Sequence, residues 1–575
     1  MTNDRISGAA LDSAGNRNDT LNPRKGTGGY TIFDLGVNAQ PNEGLRASAI
    51  LRIKNEFGGF YGSGSQLIFR QLRLEGVLNK MFKYEIGDID MGLTPYTIYN
   101  FDEIYHDYEA DVFAIRRSVV HYENFNYGNK WRVQGFNGIA TLKFSKGIEK
   151  INLRGFATRN RAAIFNFGYP DRLMVGGRAD LVQSKNFQIG GNFVNMFDIY
   201  QTAVTKVANY NNKIFTGDFK GGIDNDKIAA FLYGEAGFSN YSYDTSGVIT
   251  KKDTANGFYD LGLSVKYKPA AIKFSASYRY VGDNYSSPAA QTRRIYDYGV
   301  PTLSTDDYRA GMIYNTVGNN FSTNRNPILF DRMTQENMRN TSIQTMLMAY
   351  LPQYNNITPY GIATPNRKGI TLNAAVGEQD KVIKADLTID LLNEVIGEGS
   401  PEKRKYTGIR GGMVFGLGKL LKFEKVMNLS FGFRNEHTQR GGTNVIDLKS
   451  NLIDAGLTAE LVKNLDLLVG YKSLSAKGNE FLATRDAFGF IKNFNDQFNL
   501  NVKENVLAIG GRYRFTKNTY FTAQGHFINF VNKANKFEDT SATFSQNAGS
   551  NSQYKVNGNG TYRINQVFLA YTMIF

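Results

Sequence analysis

Four histidines, His106, His121, His437 and His526, are the only side chains able to carry protons near neutral pH as imidazoles, and the chain has no cysteine. None stands in an H-E-x-x-H pattern, and without thiolates the usual zinc sets are missing, so no metal site is expected. The densest carboxylate group is Asp102, Glu103, Asp107, Glu109 and Asp111, with His106 inside it and Arg116 and Arg117 behind it. Its oxygens are of the kind calcium takes, but the spacing fits no EF-hand loop, and it reads as a solvated acidic loop. His526, in TAQGHFINF, has no serine at a spacing that would make a nucleophile and base. The glycine pairs at 176–177, 190–191 and 510–511 precede no helix start, so they mark close packing or bends rather than phosphate loops. No catalytic residue and no cofactor site follows, and the chain is expected not to be an enzyme.

The remaining chemistry is electrostatic. Arg154, Arg178, Lys266, Lys273, Arg279, Arg434, Lys472, Arg512 and Arg514 all fall on the parity opposite to the apolar residues of their segments, with fewer acids beside them: Asp180, Asp260, Glu436 and Asp466. Rings of arginine and lysine around a water path favour anions, and that is the sharper expectation for these nine residues. Neutralisation by the acids inside a wet interior is the plainer one.

What could position such a set is an alternation with a period of two. Tyr259, Leu261, Leu263, Val265 and Tyr267 alternate with Asp260, Gly262, Ser264 and Lys266. After a turn at 268–271, Ile272, Phe274, Ala276, Tyr278 and Tyr280 do the same. Successive side chains of a strand point to opposite faces, so each such segment has one apolar and one polar face. Short links are expected at 40–43, 145–150, 183–186, 224–225, 268–271, 376–381, 462–464 and 516–518. Long ones are expected at 89–130, 159–171, 198–212, 242–255, 283–366, 475–503 and 531–561. Composition agrees with a strand-built chain: 59 Gly, 34 Tyr and 41 Phe in 575 residues, against 12 Pro and 1 Trp. No apolar run is long enough for a membrane helix. The formal net charge is +15, but the basic residues form no run and no finger spacing, so nucleic acid is not expected as a partner.

The last segment carries a resemblance. Val567, Leu569, Tyr571, Met573 and Phe575 alternate with smaller or polar residues, and the chain ends on Phe575. This resembles the C-terminal signature strand of Gram-negative outer-membrane β-barrels of the porin-like kind. The resemblance implies an all-β transmembrane antiparallel meander barrel, with short periplasmic turns, long extracellular loops and an even number of strands. About 21 segments are legible; 20 is the expected count within a range of 16–22, with Tyr30 to Asn38 either outside the wall or accompanied by one strand too many or too few. It also implies that the terminal strand is read by the barrel-assembly machinery and that outer-membrane lipid surrounds the wall. Residues 1–29 form a polar arm with no apolar leader core, which suits a mature form whose signal peptide has been removed. Residues 30–575 would be a single barrel. Its loop 89–130, holding the acidic cluster and Arg116 and Arg117, resembles the inward-folded constriction loop of porins. Loop 283–366 carries a candidate helix at 331–351, stopped by Pro352.

Two functions fit. One is a channel or transporter for small polar solutes with a bias to anions. The other is a non-transporting accessory subunit of a multi-protein outer-membrane complex, such as a secretion or barrel-assembly machine, with periplasmic or outer-membrane subunits docked on its loops.

Overall fold

The computed structural model describes residues 2–8, 10–11, 17–18, 24–56, 65–101, 108–123, 129–163, 170–199, 202, 209–245, 248–291, 353–377, 382–485, 491–532, 542–543, 553–554 and 560–574. The fold is all-β. Twenty-one strands from Tyr30–Asn42 to Gly560–Met573 form an antiparallel meander in which each pairs with its neighbours in sequence. Tyr30–Asn42 is part of the wall, paired with Leu45–Glu56. An odd meander leaves its first and last strands parallel, with no partner of the right direction between them. Within the polar arm, the strand Thr2–Gly8 fills that place. It pairs antiparallel with Gly560–Met573 on one side and with Arg24–Gly28, which leads into Tyr30–Asn42, on the other. These pairings link the last strand back to Arg24–Gly28, where the first wall strand begins, while Tyr30–Asn42 itself pairs with Leu45–Glu56.

The alternation sorts the wall into two faces. Tyr259, Leu261, Leu263 and Tyr267 on Val248–Tyr267, and Ile272, Phe274 and Tyr278 on Ile272–Val281, are large, apolar and exposed. Equivalent exposed stripes run along neighbouring strands, for example Leu507 and Ile509, or Val567 and Tyr571. A continuous ring of exposed apolar side chains has no place in water and suits a bilayer. Tyr259 stacks on Tyr280 at 5.2 Å, at the level where an aromatic girdle meets lipid headgroups. No described helix is long and apolar enough to cross a membrane. Replacing Leu263 at mid-stripe with arginine should destabilise the inserted barrel by about 2–4 kcal/mol, measured by urea titration in lipid vesicles. No loss on Leu263→Arg would mean that the stripe does not face lipid.

Short turns occur at every expected position, and another joins Ser65–Leu78 to Phe82–Met91; Lys405–Gly416 and Met427–Arg440 are joined by 417–426, which holds a helical turn at Leu417–Leu420. Two expected long links are corrected. Strands Ile228–Thr245 and Val248–Tyr267 are separated by only 246–247, and Leu465–Arg485 and Ile491–Arg514 by only 486–490. These strands outrun the apolar stripe. Beyond it their outward positions are polar, so the ladder continues while the alternation that reveals it stops. The candidate helix 331–351 and Phe575 lie outside the described residues.

Candidate functional site: the lumen and its inward segments

The face opposite the lipid stripe encloses a space that two connections enter. The first follows Phe82–Met91. Residues 94–97 make a turn whose Thr94 hydroxyl donates to Glu235 Oε1 at 2.6 Å, and the Tyr96 hydroxyl donates to Asp260 Oδ2 at 2.8 Å. Tyr96 also stacks on Phe258 at 4.1 Å. On the far side of the space, helix α1 (Asp111–Glu123) lies against strands Ile446–Val462 and Leu465–Arg485. Its Val112, Phe113 and Ile115 pack with Leu468, Val506, Ile528 and Phe530, an apolar patch on inward-facing positions of the wall.

Polar ties fix where α1 begins. The Ala110 amide donates to Asp454 Oδ1 at 3.1 Å, and Thr458 Oγ1 donates to Asp111 Oδ2 at 2.8 Å. Glu109 receives Arg117 Nε at 2.7 Å and also the ammonium of Lys472, which in turn sits 2.9 Å from Asp454 Oδ2. Lys472 and Asp454 are fully buried. Burial by itself would raise the carboxyl of Glu109, but the charges of Arg117 and Lys472 overcome it and hold the group below the ordinary carboxylate range. At the other end of the helix, the Tyr122 hydroxyl reaches Asp34, which also binds Arg52 and Arg70 on the opposite wall. Gly456 and Gly470 make room for the docking: a Cβ there would stand 2.3 Å from Ala110 Cβ and 2.5 Å from Val112 Cγ1.

The second connection leaves Ile272–Val281 and returns at Arg367–Val376. Its two described ends, 282–291 and 353–366, meet the first segment. The Tyr285 hydroxyl donates to the Tyr96 carbonyl at 2.6 Å, Ser287 Oγ to the Thr97 carbonyl at 3.1 Å, and Trp131 Nε1 to the Ala289 carbonyl at 2.7 Å. Gln291 Nε2 joins the two ends through the Ala363 carbonyl at 2.9 Å. Asn356 is held by Glu436 and Glu480, the latter paired with Arg404 at 2.9 Å, and Tyr354 donates to Glu504 at 2.5 Å.

All nine expected basic residues lie on strands, on the face away from lipid, yet most are engaged by acids. Arg178 is paired with Asp180 at 2.6 Å and Asp218 at 2.7 Å, Arg434 with Glu436 at 3.4 Å, and Arg512 with Asp466 at 2.8 Å. Arg514 is paired with Asp466 at 2.9 Å and Glu460 at 3.1 Å, and Lys472 is the buried tie already described. Arg154 binds Asn137 Oδ1 at 2.7 Å and the Gly92 carbonyl at 3.1 Å, and buried Arg279 donates to Thr371 Oγ1 at 3.0 Å. Lys266 is half-buried and Lys273 exposed. Of the acidic loop, Glu109 and Asp111 join α1 to the wall, and Arg117 is paired with Glu109. Arg116 lies on the helix, and Asp102, Glu103 and Asp107 fall outside the described residues.

Sequence reasoning missed Lys384 and Arg410. Both face the same space, Lys384 with its Nζ 5.7 Å from the Tyr108 ring centre, and Arg410 47% exposed at 3.9 Å from Asp390. Tyr108 in turn leans on Gly412, where a Cβ would meet its ring at 2.6 Å. Alternation around Ile383, Leu387, Ile389 and Leu391 would have exposed Lys384; the run from 405 to 416 is too rich in glycine to reveal Arg410. Among the described residues no group of three or more His, Asp or Glu could hold a metal ion.

No family model matches the chain, and no curated protein does. Among solved structures it is similar to the copper transporter OprC at 11% identity and a TM-score of 0.45, over 99% of this chain and 80% of that one. It is similar to the ferric citrate transporter FecA in the unliganded form at 10% and 0.38, over 99% and 78%. A third is Pseudomonas aeruginosa OccK2 (OpdF) in complex with glucuronate, at 10% and 0.36, over 80% and 97%.

Proposed function

We propose that this chain is a Gram-negative outer-membrane β-barrel channel for small polar solutes, biased to anions, whose opening is set by the inward segments 92–101 and 108–123. The observation that carries this reading is an uneven lumen. One side is filled by α1 on an apolar patch, while Lys273, Lys384 and Arg410, the last at the 3.9 Å limit of a pair with Asp390, remain exposed to the enclosed space on other strands. Exposed cations along a water path lower the barrier for anions, and paired ones do so far less. Arg512 and Arg514, bound to Asp466 and Glu460, are therefore weaker contributors than their sequence position suggests. Tyr108 between Lys384 and Gly412 marks the narrow point.

Planar-bilayer recording tests this. With Lys273, Lys384 and Arg410 all changed to Glu, the reversal potential in a salt gradient should move toward cation preference. An unchanged reversal potential would remove these residues from the path.

One set of contacts favours the second reading, a closed barrel serving a larger outer-membrane assembly. The two inward segments are joined to each other through Tyr285 and Ser287. No conductance from the purified chain, together with co-isolation of fixed partners, would support it. Capture of the terminal strand by the assembly machinery belongs to either reading.

A further inference from the structure

Above the lipid stripe, one sector of the wall carries cations on the outside. On Ile446–Val462 the outward positions pass from Leu457, Ala455 and Ile453 to Asn451 and then Lys449. On Leu465–Arg485 they pass from Val469 and Tyr471 to Ser473, Ser475 and Lys477, and on Ile491–Arg514 from Ile509 and Leu507 to Asn505 and Lys503. The inward neighbours Leu448, Leu474 and Val502 are buried, so the lysines cannot turn inside. Register places Lys449 directly opposite Lys477, and Ser475 opposite Lys503, which puts Lys503 diagonally beside Lys477.

Like charges facing each other across a ladder repel. Among the described residues none of the three has an ion pair, and the acid on the same face, Asp447, is taken by His437 at 2.6 Å. The lysines stand four to six residues beyond the last large apolar outward side chains, Ile453, Tyr471 and Leu507, on the headgroup side of the apolar stripe. Asn451, Ser475 and Asn505 add uncharged donors between them, and among the described residues the one carboxylate facing outward on these three strands is Asp447, two residues beyond Lys449 and diagonal to Lys477.

We propose that Lys449, Lys477 and Lys503 form an outward site for the phosphate-bearing headgroup of a membrane glycolipid in the leaflet at the long-loop end. Phosphate turns the repulsion within the lysine cluster into attraction, and the amide and hydroxyl groups suit sugar hydroxyls. The site rests on the wall spanning a bilayer, and is independent of whether the lumen conducts.

The test uses the full chain in detergent with lipid A, a bisphosphorylated glycolipid, and native mass spectrometry to count bound lipid. Relative to wild type, the triple variant Lys449→Glu, Lys477→Glu and Lys503→Glu should retain at least about tenfold less of it. The triple Gln variant should also lose it. Lys213→Glu, on a distant strand, should bind as wild type does. Dephosphorylated lipid A should bind weakly and equally to all, and millimolar inorganic phosphate should not displace the lipid. Equal retention by wild type and both triple variants, loss with Lys213→Glu alone, or displacement by phosphate would overturn the site. Heat-modifiable mobility checks that each variant is folded. Wild type that binds no lipid of either kind and stays soluble without detergent would instead overturn the membrane reading itself.

Discussion

Lys472→Met is expected to open the barrel. Its ammonium is fully buried between Glu109 of the inward segment and Asp454 of the wall, so removing it leaves two carboxylates facing each other without a cation between them. Stranding a buried charge in this way costs about 3–5 kcal/mol. The wall strands are held by their ladders, whereas the inward segment is held by a few ties and the apolar patch. The cost therefore falls on the docking of 108–123. Single-channel conductance should rise severalfold, and limited proteolysis should cut within the segment while the wall stays intact. Unchanged conductance with an unchanged digestion pattern would show that this tie does not hold the segment in place. Adding Glu109→Gln and Asp454→Asn to Lys472→Met removes the stranded charges and should restore part of the closed state. The carboxyl of Glu109 is depressed, so its stabilisation is present above the ordinary carboxyl value and is lost only as pH falls through the lowered one. Acidification to about pH 5 should consequently not mimic the variant.

The second large effect is steric. Gly456 and Gly470 face inward under Ala110 and Val112, and a Cβ at either would overlap them. Neither glycine has a positive φ, so larger residues fit the strand itself and improve its propensity. Overpacking typically costs about 1–3 kcal/mol per site, and here the less firmly held partner is the inward segment rather than the wall. The double variant Gly456→Leu, Gly470→Leu should keep a heat-modifiable barrel and yet raise conductance without altering any charge. If conductance rises in Lys472→Met but not here, the latch is electrostatic and the helix can shift along the patch. If neither changes it, segment 108–123 does not set the opening, and the accessory-subunit reading gains.

These two predictions rest on residues that read very differently in the sequence. Lys472 was legible as inward-facing because Tyr471 and Val469 alternate around it, but nothing marked it as buried. Asp454, eighteen residues away, stands opposite it across one hairpin, whereas Glu109 lies hundreds of residues away and reaches it only because its connection folds inward. Gly456 and Gly470 carry no side chain with which to signal a contact. Helix α1 itself was hidden inside a stretch that reads as an acidic loop, because its apolar residues serve one patch of wall rather than a core of their own.

From the sequence alone came the strands, their two faces, the order of the meander and the absence of cysteine. Those are properties of period and composition, set by neighbours two residues apart. The tertiary structure decided the place of Thr2–Gly8 in the wall, the direction in which the long connections fold, and which cations keep their charge unmatched. Pairing, burial and neutralisation depend on residues far apart in the chain meeting across an enclosed space, and no local pattern records that.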